Sequence, residues 1–204
     1  MIPEIAGHPS IPALHASAFR AAHLANVRHV VVIGGASSAI EVAELAARHA
    51  CKVTIAARKL AMTPPTVLGI DPAFALLPLM SRISPRKFCD GRYTVPGTDR
   101  GFARLRRSGA ITVVPPLTRI DDARCTFADG HTVEADLLVF GTGYRYTVPA
   151  LPADVPRTPR GIPRSTKTHP GLHYVGLPCT RSAASEYLYG IARDAEHVAR
   201  RITT

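Results

Sequence analysis

Tryptophan is absent from this chain, and phenylalanine and tyrosine together make up only 6% of its 204 residues. A surface that stacks bases needs aromatics interleaved with basic residues, so this scarcity argues against a nucleic-acid platform despite a formal net charge of +10. Lysine is scarce as well. Lys52, Lys59, Lys87 and Lys167 are the only lysines among 25 basic residues, and the arginines are spread along the chain rather than gathered in a run. The four cysteines, Cys51, Cys89, Cys125 and Cys179, form no CxxC pair, which argues against a zinc knuckle, a thioredoxin-type redox pair and a dense disulfide scaffold. No apolar run approaches the roughly 20 residues that span a bilayer. Met1-Ile2-Pro3-Glu4 lacks the basic start and apolar core of a signal peptide. The expectation is a cytoplasmic protein with neither a membrane nor a nucleic acid among its partners. There is no Walker loop and no Ser-His-Asp pattern. His169 and His173 have metal-like spacing but no acidic or cysteine partner near them in sequence, so no metal site is expected.

What is present is enough apolar material, 46% of residues, for a genuine core. His29-Val30-Val31-Val32-Ile33 is a continuous β-branched run, as in a strand buried on both faces of a parallel sheet. It stops at Gly34-Gly35. Residues 37–50 then read as a helix, with Ala39, Val42, Ala43 and Ala46 on one face and Ser37 or Ser38 placed to cap it. Lys52–Ala56 is a second strand, which completes a βαβ unit and makes the chain α/β. Further on, the pattern predicts helices over 74–83 and 101–108 and a strand over 111–114. It also predicts a hairpin turning at Asp129-Gly130, a buried strand over 137–140, a late strand over 172–175 and a C-terminal helix from Ser182 to Ile202. The first 27 residues read as an irregular lead with a helix-like stretch near Ser17–Leu24.

The turn Gly34-Gly35-Ala36-Ser37-Ser38-Ala39 follows a buried strand and opens a helix, the context a dinucleotide fingerprint requires. Gly34 and Ala39 match the first and third positions of G-x-G-x-x-G/A, and Ala36 replaces the middle glycine. The second strand runs into Arg58-Lys59 where an NADH site usually carries Asp or Glu. A guanidinium there suits a 2′-phosphate and favours NADPH. A βα turn without a ligand, and a solvated basic turn, are the plain alternatives.

In order along the chain, several segments resemble the flavin-containing monooxygenases and the wider superfamily of FAD- and NAD(P)-dependent pyridine nucleotide oxidoreductases. They are Pro3–Gly7; His15-Ala16-Ser17-Ala18-Phe19, like the HxxxF end of the monooxygenase fingerprint; Gly34–Ala39 with Arg58; Phe127–Gly130; Asp136–Arg145, like the late ATGY segment; and Pro170–Pro178. Only half of the monooxygenase fingerprint is present, since Pro9 and Ile11 stand where its phenylalanine and glycine belong. The resemblance implies a Rossmann-like NADPH domain over 28–120, flanked by flavin-domain segments over 1–27 and 121–204. The first, FAD-binding glycine turn is not in this sequence. The resemblance further implies that Gly34, Gly35, Ala36, Ser37, Ser38 and Ala39 hold the pyrophosphate and that Arg58 and Lys59 meet the 2′-phosphate. Gly141, Thr142, Gly143 and Tyr144 would lie near the cofactor junction, where glycine lets backbone approach a flat ligand. The activity implied is hydride transfer from NADPH to flavin, O2 activation and oxygenation of a small organic substrate. No catalytic residue is assigned. Alternatives are a non-catalytic NAD(P)H-binding module and a remnant lacking its flavin half. On this reading the chain alone holds FAD weakly or not at all, and it self-associates or takes a partner that supplies the flavin half. His15 reads as a linker or core histidine, Asp136 as a residue solvating a strand start, and Cys179 as a buried thiol.

Overall fold

The computed structural model describes residues 2–62, 101–164, 169–178, 180–182 and 184–202, together with Ala75, Leu79 and Gly97. The chain divides into two compact units, residues 1–69 with 94–143, and residues 70–93 with 144–204. Of the expected helix over 74–83 only Ala75 and Leu79 are described, both helical, and Cys179 lies outside the described residues.

The first unit is built on a five-stranded parallel sheet. Its strands are β1 (Ala13–His15), β2 (His29–Ile33), β3 (Lys52–Ala56), β4 (Ile111–Val114) and β8 (Leu137–Phe140), in the order β1-β8-β2-β3-β4. A second, antiparallel sheet contains β5 (Leu117–Asp121), β6 (Arg124–Phe127) and β7 (Thr132–Glu134). The continuous apolar run of β2 has the burial it predicts. Val30 and Val32, with Val53, Ile55, Leu137 and Val139, pack on one face against helix α1 (Ser37–Arg48) and Phe102 of helix α2 (Phe102–Arg107). Val31 and Ile33, with Ala56, Leu138 and Phe140, pack on the other face against Ile120, Cys125 and Phe127 of the small sheet. Residues that alternate along each strand thus feed two cores, so no strand position from 30 to 33 faces water. Burying these Val, Leu and Ile side chains stabilises the unit by about 1.5–3 kcal/mol apiece before entropy is counted.

The unit reaches beyond 28–120 on both sides because β1 and β8 pair with each other and β8 pairs with β2. Asp136 joins them further: its Oδ2 accepts the backbone N–H groups of Arg28 (2.8 Å) and His29 (2.9 Å) at the start of β2. These bonds hold its carboxyl below the usual carboxylate range.

Four local expectations are corrected. The Ser17–Leu24 stretch is a 3-10 turn over Ala21–Leu24, preceded by β1, whose three residues are too short to show periodicity. Neither Ser37 nor Ser38 caps α1. The cap position is Ala36, without a side-chain bond, and the Ser37 hydroxyl donates instead to Glu41 Oε1 at 2.8 Å. Residues 172–175 form no strand, because no described segment pairs with them. The last helix, α3, covers only Leu188–Ile202. Before it, the Ser185 hydroxyl accepts the N–H groups of Arg181 (3.1 Å) and Ser182 (2.9 Å), and such local bonds compete with a helix. The second unit contains α3 and a loop that folds back on itself through the bridge between Arg157 and Pro163 and the bond from Tyr146 N–H to Arg160 O at 2.7 Å.

Candidate functional site

The order of the parallel strands has one point of reversal. From β2 the chain moves to β3 and β4 on one side, while β8 and β1 lie on the other. Ligands of open α/β sheets bind outside the carboxyl ends of the strands at such a point. Here those ends are the two glycine turns singled out in the sequence, Gly34–Ala39 after β2 and Gly141–Gly143 after β8. They are more than 100 residues apart in the chain and are brought together by the pairing of Val30–Ile33 with Leu137–Phe140.

The turns meet backbone to backbone. Gly141 N–H donates to Ile33 O at 2.8 Å, and Gly34 N–H donates to Ala56 O at 3.0 Å. Gly34 has φ +131°, and a Cβ there would lie 2.3 Å from Gly141 O. A Cβ on Gly141 would in turn lie 2.7 Å from the Ala39 methyl. The small residue at the third fingerprint position is therefore needed for the crossing of the second turn over α1. Gly35 is fixed from a third direction: a Cβ there would lie 2.1 Å from Lys59 O, and Ala61 N–H donates to Gly35 O at 2.6 Å. This backbone contact brings the Arg58-Lys59 segment, which follows β3, against the glycine turn. Both side chains are exposed, and neither forms an ion pair with a described residue.

Ala36 has φ −112° and ψ −174°, an extended conformation open to any residue, so its backbone does not require the glycine of the fingerprint. From this point α1 presents its N-terminus. Among the described residues the N–H groups of Gly35, Ala36, Ser37 and Ser38 have no acceptor. Open donors at the positive end of a 12-residue helix, with two cationic side chains across the turn, form a donor set for a phosphate or pyrophosphate.

On the β8 side Thr142 is half-buried, and Gly143, at φ +85°, has open space where a Cβ would stand. Its carbonyl accepts a bond from His15 Nε2 at 3.1 Å, while His15 Nδ1 accepts the Ser17 N–H at 3.2 Å. The second bond requires an unprotonated Nδ1, so Nε2 carries the proton and donates. His15 therefore ties the end of β1 to the second glycine turn, a role its sequence context did not reveal. Tyr144 is exposed and opens the second unit. His169 bonds to Asp154 Oδ2 at 2.9 Å. Among the described residues no group of three His, Cys, Asp or Glu side chains is disposed to hold a metal.

Residues 29–67 match the family model described as pyridine nucleotide-disulphide oxidoreductase. The chain is 30% identical over 129 residues to a probable indole-3-pyruvate monooxygenase, YUCCA3 of Arabidopsis thaliana, a match that takes in 59% of this chain and 28% of that protein. Among solved structures it is similar to a flavin-containing monooxygenase from Stenotrophomonas maltophilia, with a TM-score of 0.67 and 21% identity, over 100% of this chain and 58% of that one. It is also similar to DfoA, the FAD-bound cadaverine monooxygenase of Erwinia amylovora, with a TM-score of 0.59 and 13% identity over 94% of this chain and 55% of that one. At such identities these likenesses establish the fold, that of the two-dinucleotide-domain flavoproteins. The chain spans little more than a quarter of the length of the curated relative and under two thirds of either structure.

Proposed function

From the premise that the chain belongs to the superfamily of FAD-dependent oxidoreductases and flavin monooxygenases, we propose that it carries the NADPH-binding part of a flavoprotein monooxygenase. The observation that supports this most directly is the meeting of two glycine turns at the reversal point of a parallel sheet, with the open N-terminus of α1 beside them. In this reading the N–H groups of Gly35–Ser38 bind the pyrophosphate of NADPH, and Arg58 and Lys59 meet the 2′-phosphate. The unobstructed edge at Gly143 lets backbone approach the nicotinamide side. Flavin, when bound, supplies the redox chemistry with O2. The residues of this chain bind and orient the dinucleotide, and His15 holds the Gly143 carbonyl in place. The whole protein would oxygenate a small organic substrate in the cytoplasm, using FAD as well as NADPH. The flavin half comes from a partner or from sequence beyond these residues.

The test is a binding titration of the purified chain with NADPH and NADH, for wild type and Arg58→Ala. The expected result is a loss of affinity for NADPH several times larger than that for NADH, since only NADPH offers a 2′-phosphate to the guanidinium. Equal losses for the two would remove the assignment of Arg58. Absence of binding to either would remove the proposal. NADPH binding by colourless protein that oxidises no NADPH even with added FAD would favour a binding module over a catalyst.

A further inference from the structure

A surface helix ordinarily turns its apolar stripe toward the core and its polar face to water. Helix α3 of the second unit does the reverse. The face it packs inward holds Gly190, where a Cβ would lie 1.9 Å from Ala184 O, and Asp194, which is 3% exposed and accepts the Thr180 hydroxyl at 3.3 Å. On a different side of the helix lie Leu188, Ala192, Ala195 and Ile202, all exposed. Leu188 is 88% exposed, more than any other large apolar side chain among the described residues, and Ile202 is 67% exposed. Half-buried Ile191 and Val198 flank this stripe, and no charged residue falls on it. Singly exposed apolar residues are ordinary, but a continuous exposed stripe on a helix marks a contact surface.

We propose that this stripe is the contact surface of a symmetric dimer, in which α3 of two copies packs antiparallel across a twofold axis at Ala195. The spacing carries the choice of occupant. Leu188, Ala195 and Ile202 stand seven residues apart, so they return to within about 20° of one line per interval, with Ala195 at the midpoint. Reversing the helix about Ala195 exchanges Leu188 with Ile202, and it brings Ile191 to within one residue of the level of Val198. Each bulky side chain thus meets a bulky one from the other copy, and the alanine at the axis meets its own copy. An isologous contact needs that self-complementarity, whereas a foreign surface would place no such requirement on the two sides of Ala195. Charge agrees: a charged residue near the axis of the stripe would be buried against itself, and there is none. Area sets the strength. From Leu188 to Ile202 the helix offers a face about 21 Å long and roughly 10 Å wide. That is well under the about 800 Å² that each partner gives to a standard interface, so the dimer exchanges with monomer. The proposal does not rest on the dinucleotide reading, because no residue of the glycine turns takes part.

The experiment is sedimentation velocity on the full 204-residue chain between about 5 and 500 µM, the range in which a contact of this size dissociates. The weight-average mass should climb from that of the monomer toward twice that value. Leu188→Glu and, separately, Ile202→Glu should each weaken association by about tenfold or more, since every dimer would then close over two carboxylates. Both positions are exposed, and circular dichroism checks that each variant keeps its fold. Register is read by cross-linking. Ala195→Cys should form a disulfide between copies under mild oxidation, because the axis brings the two residues together, and wild type and Ala128→Cys on the hairpin should not. An equimolar mixture of Leu188→Cys and Ile202→Cys should yield the mixed product ahead of either symmetric one, as antiparallel packing requires. A chain that stays monomeric across the range overturns the proposal and leaves the face to another protein segment. Association that both glutamate variants leave intact, or a symmetric 188–188 product in excess, overturns it as well.

Discussion

Gly34→Ala tests the central geometric claim, that the two glycine turns touch backbone to backbone. The added Cβ would lie 2.3 Å from Gly141 O and 2.8 Å from Gly141 C, closer than side-chain carbons come to such atoms, and both are main-chain atoms held by strand pairing. Two costs add. Holding alanine at φ +131°, outside the regions open to L-residues, costs about 1–3 kcal/mol. Forcing a methyl into a packed crossing costs about 1–3 kcal/mol more. Gly143→Ala separates the two, since Gly143 also has positive φ, +85°, but no heavy atom stands within 4 Å of the new Cβ. It should lose only the conformational part, about 1–2 kcal/mol. Urea denaturation of the three proteins, followed by circular dichroism, measures the difference. We expect Gly34→Ala to lose about 1–3 kcal/mol more than Gly143→Ala, the packing term alone, against an ordinary domain's stability of about 5–15 kcal/mol. Equal losses would mean that the turns do not touch, and the site built on their contact would go with them.

Asp136→Ala removes an acceptor that serves two backbone N–H groups at 2.8 and 2.9 Å, and at a half-exposed position this should cost about 1–2 kcal/mol at pH 7. The folded-state pKa of Asp136 lies below its unfolded value. Its contribution is therefore complete above the unfolded value and is lost as pH falls through the folded one. Denaturation curves of wild type and variant should accordingly converge in acid, and a gap that stays constant down to pH 2 would contradict the role. Cys125 is buried in the core between the two sheets, and its thiol is pushed up to about 11, so at pH 8 it should resist iodoacetamide until the protein is unfolded. Prompt alkylation in native buffer, located by mass spectrometry, would contradict that burial.

Local pattern carried much of the first unit. The apolar runs of β2 and β8, the alanine face of α1 and the Asp129-Gly130 hairpin, where Gly130 takes φ +80°, are each legible because side-chain period and turn chemistry act over a few residues. The glycine fingerprint was legible for the same reason. Three features were not. β1 has only three residues and becomes a strand through pairing with β8. The Ser37 hydroxyl has two targets one turn apart, and the Glu41 carboxylate takes it from the backbone. The 172–175 segment has strand-like composition but no described partner, and a strand without a partner leaves its backbone groups unpaired.

What the amino-acid order determined alone is local: which segments are buried on both faces, where a strand must turn into a helix, and that arginine and lysine, not an acid, follow the second strand. The tertiary structure decided which distant segments meet. Hydrogen bonding of β8 beside β2 sets Gly141 on Gly34 and Ala39. Lys59 O then explains Gly35, and β1 carries His15 to the Gly143 carbonyl. The physical reason is that periodicity, propensity and capping act over one or two turns of chain. Strand order and the close approach of two backbones are instead set by packing between residues more than 100 positions apart, where no local pattern records which neighbour will come.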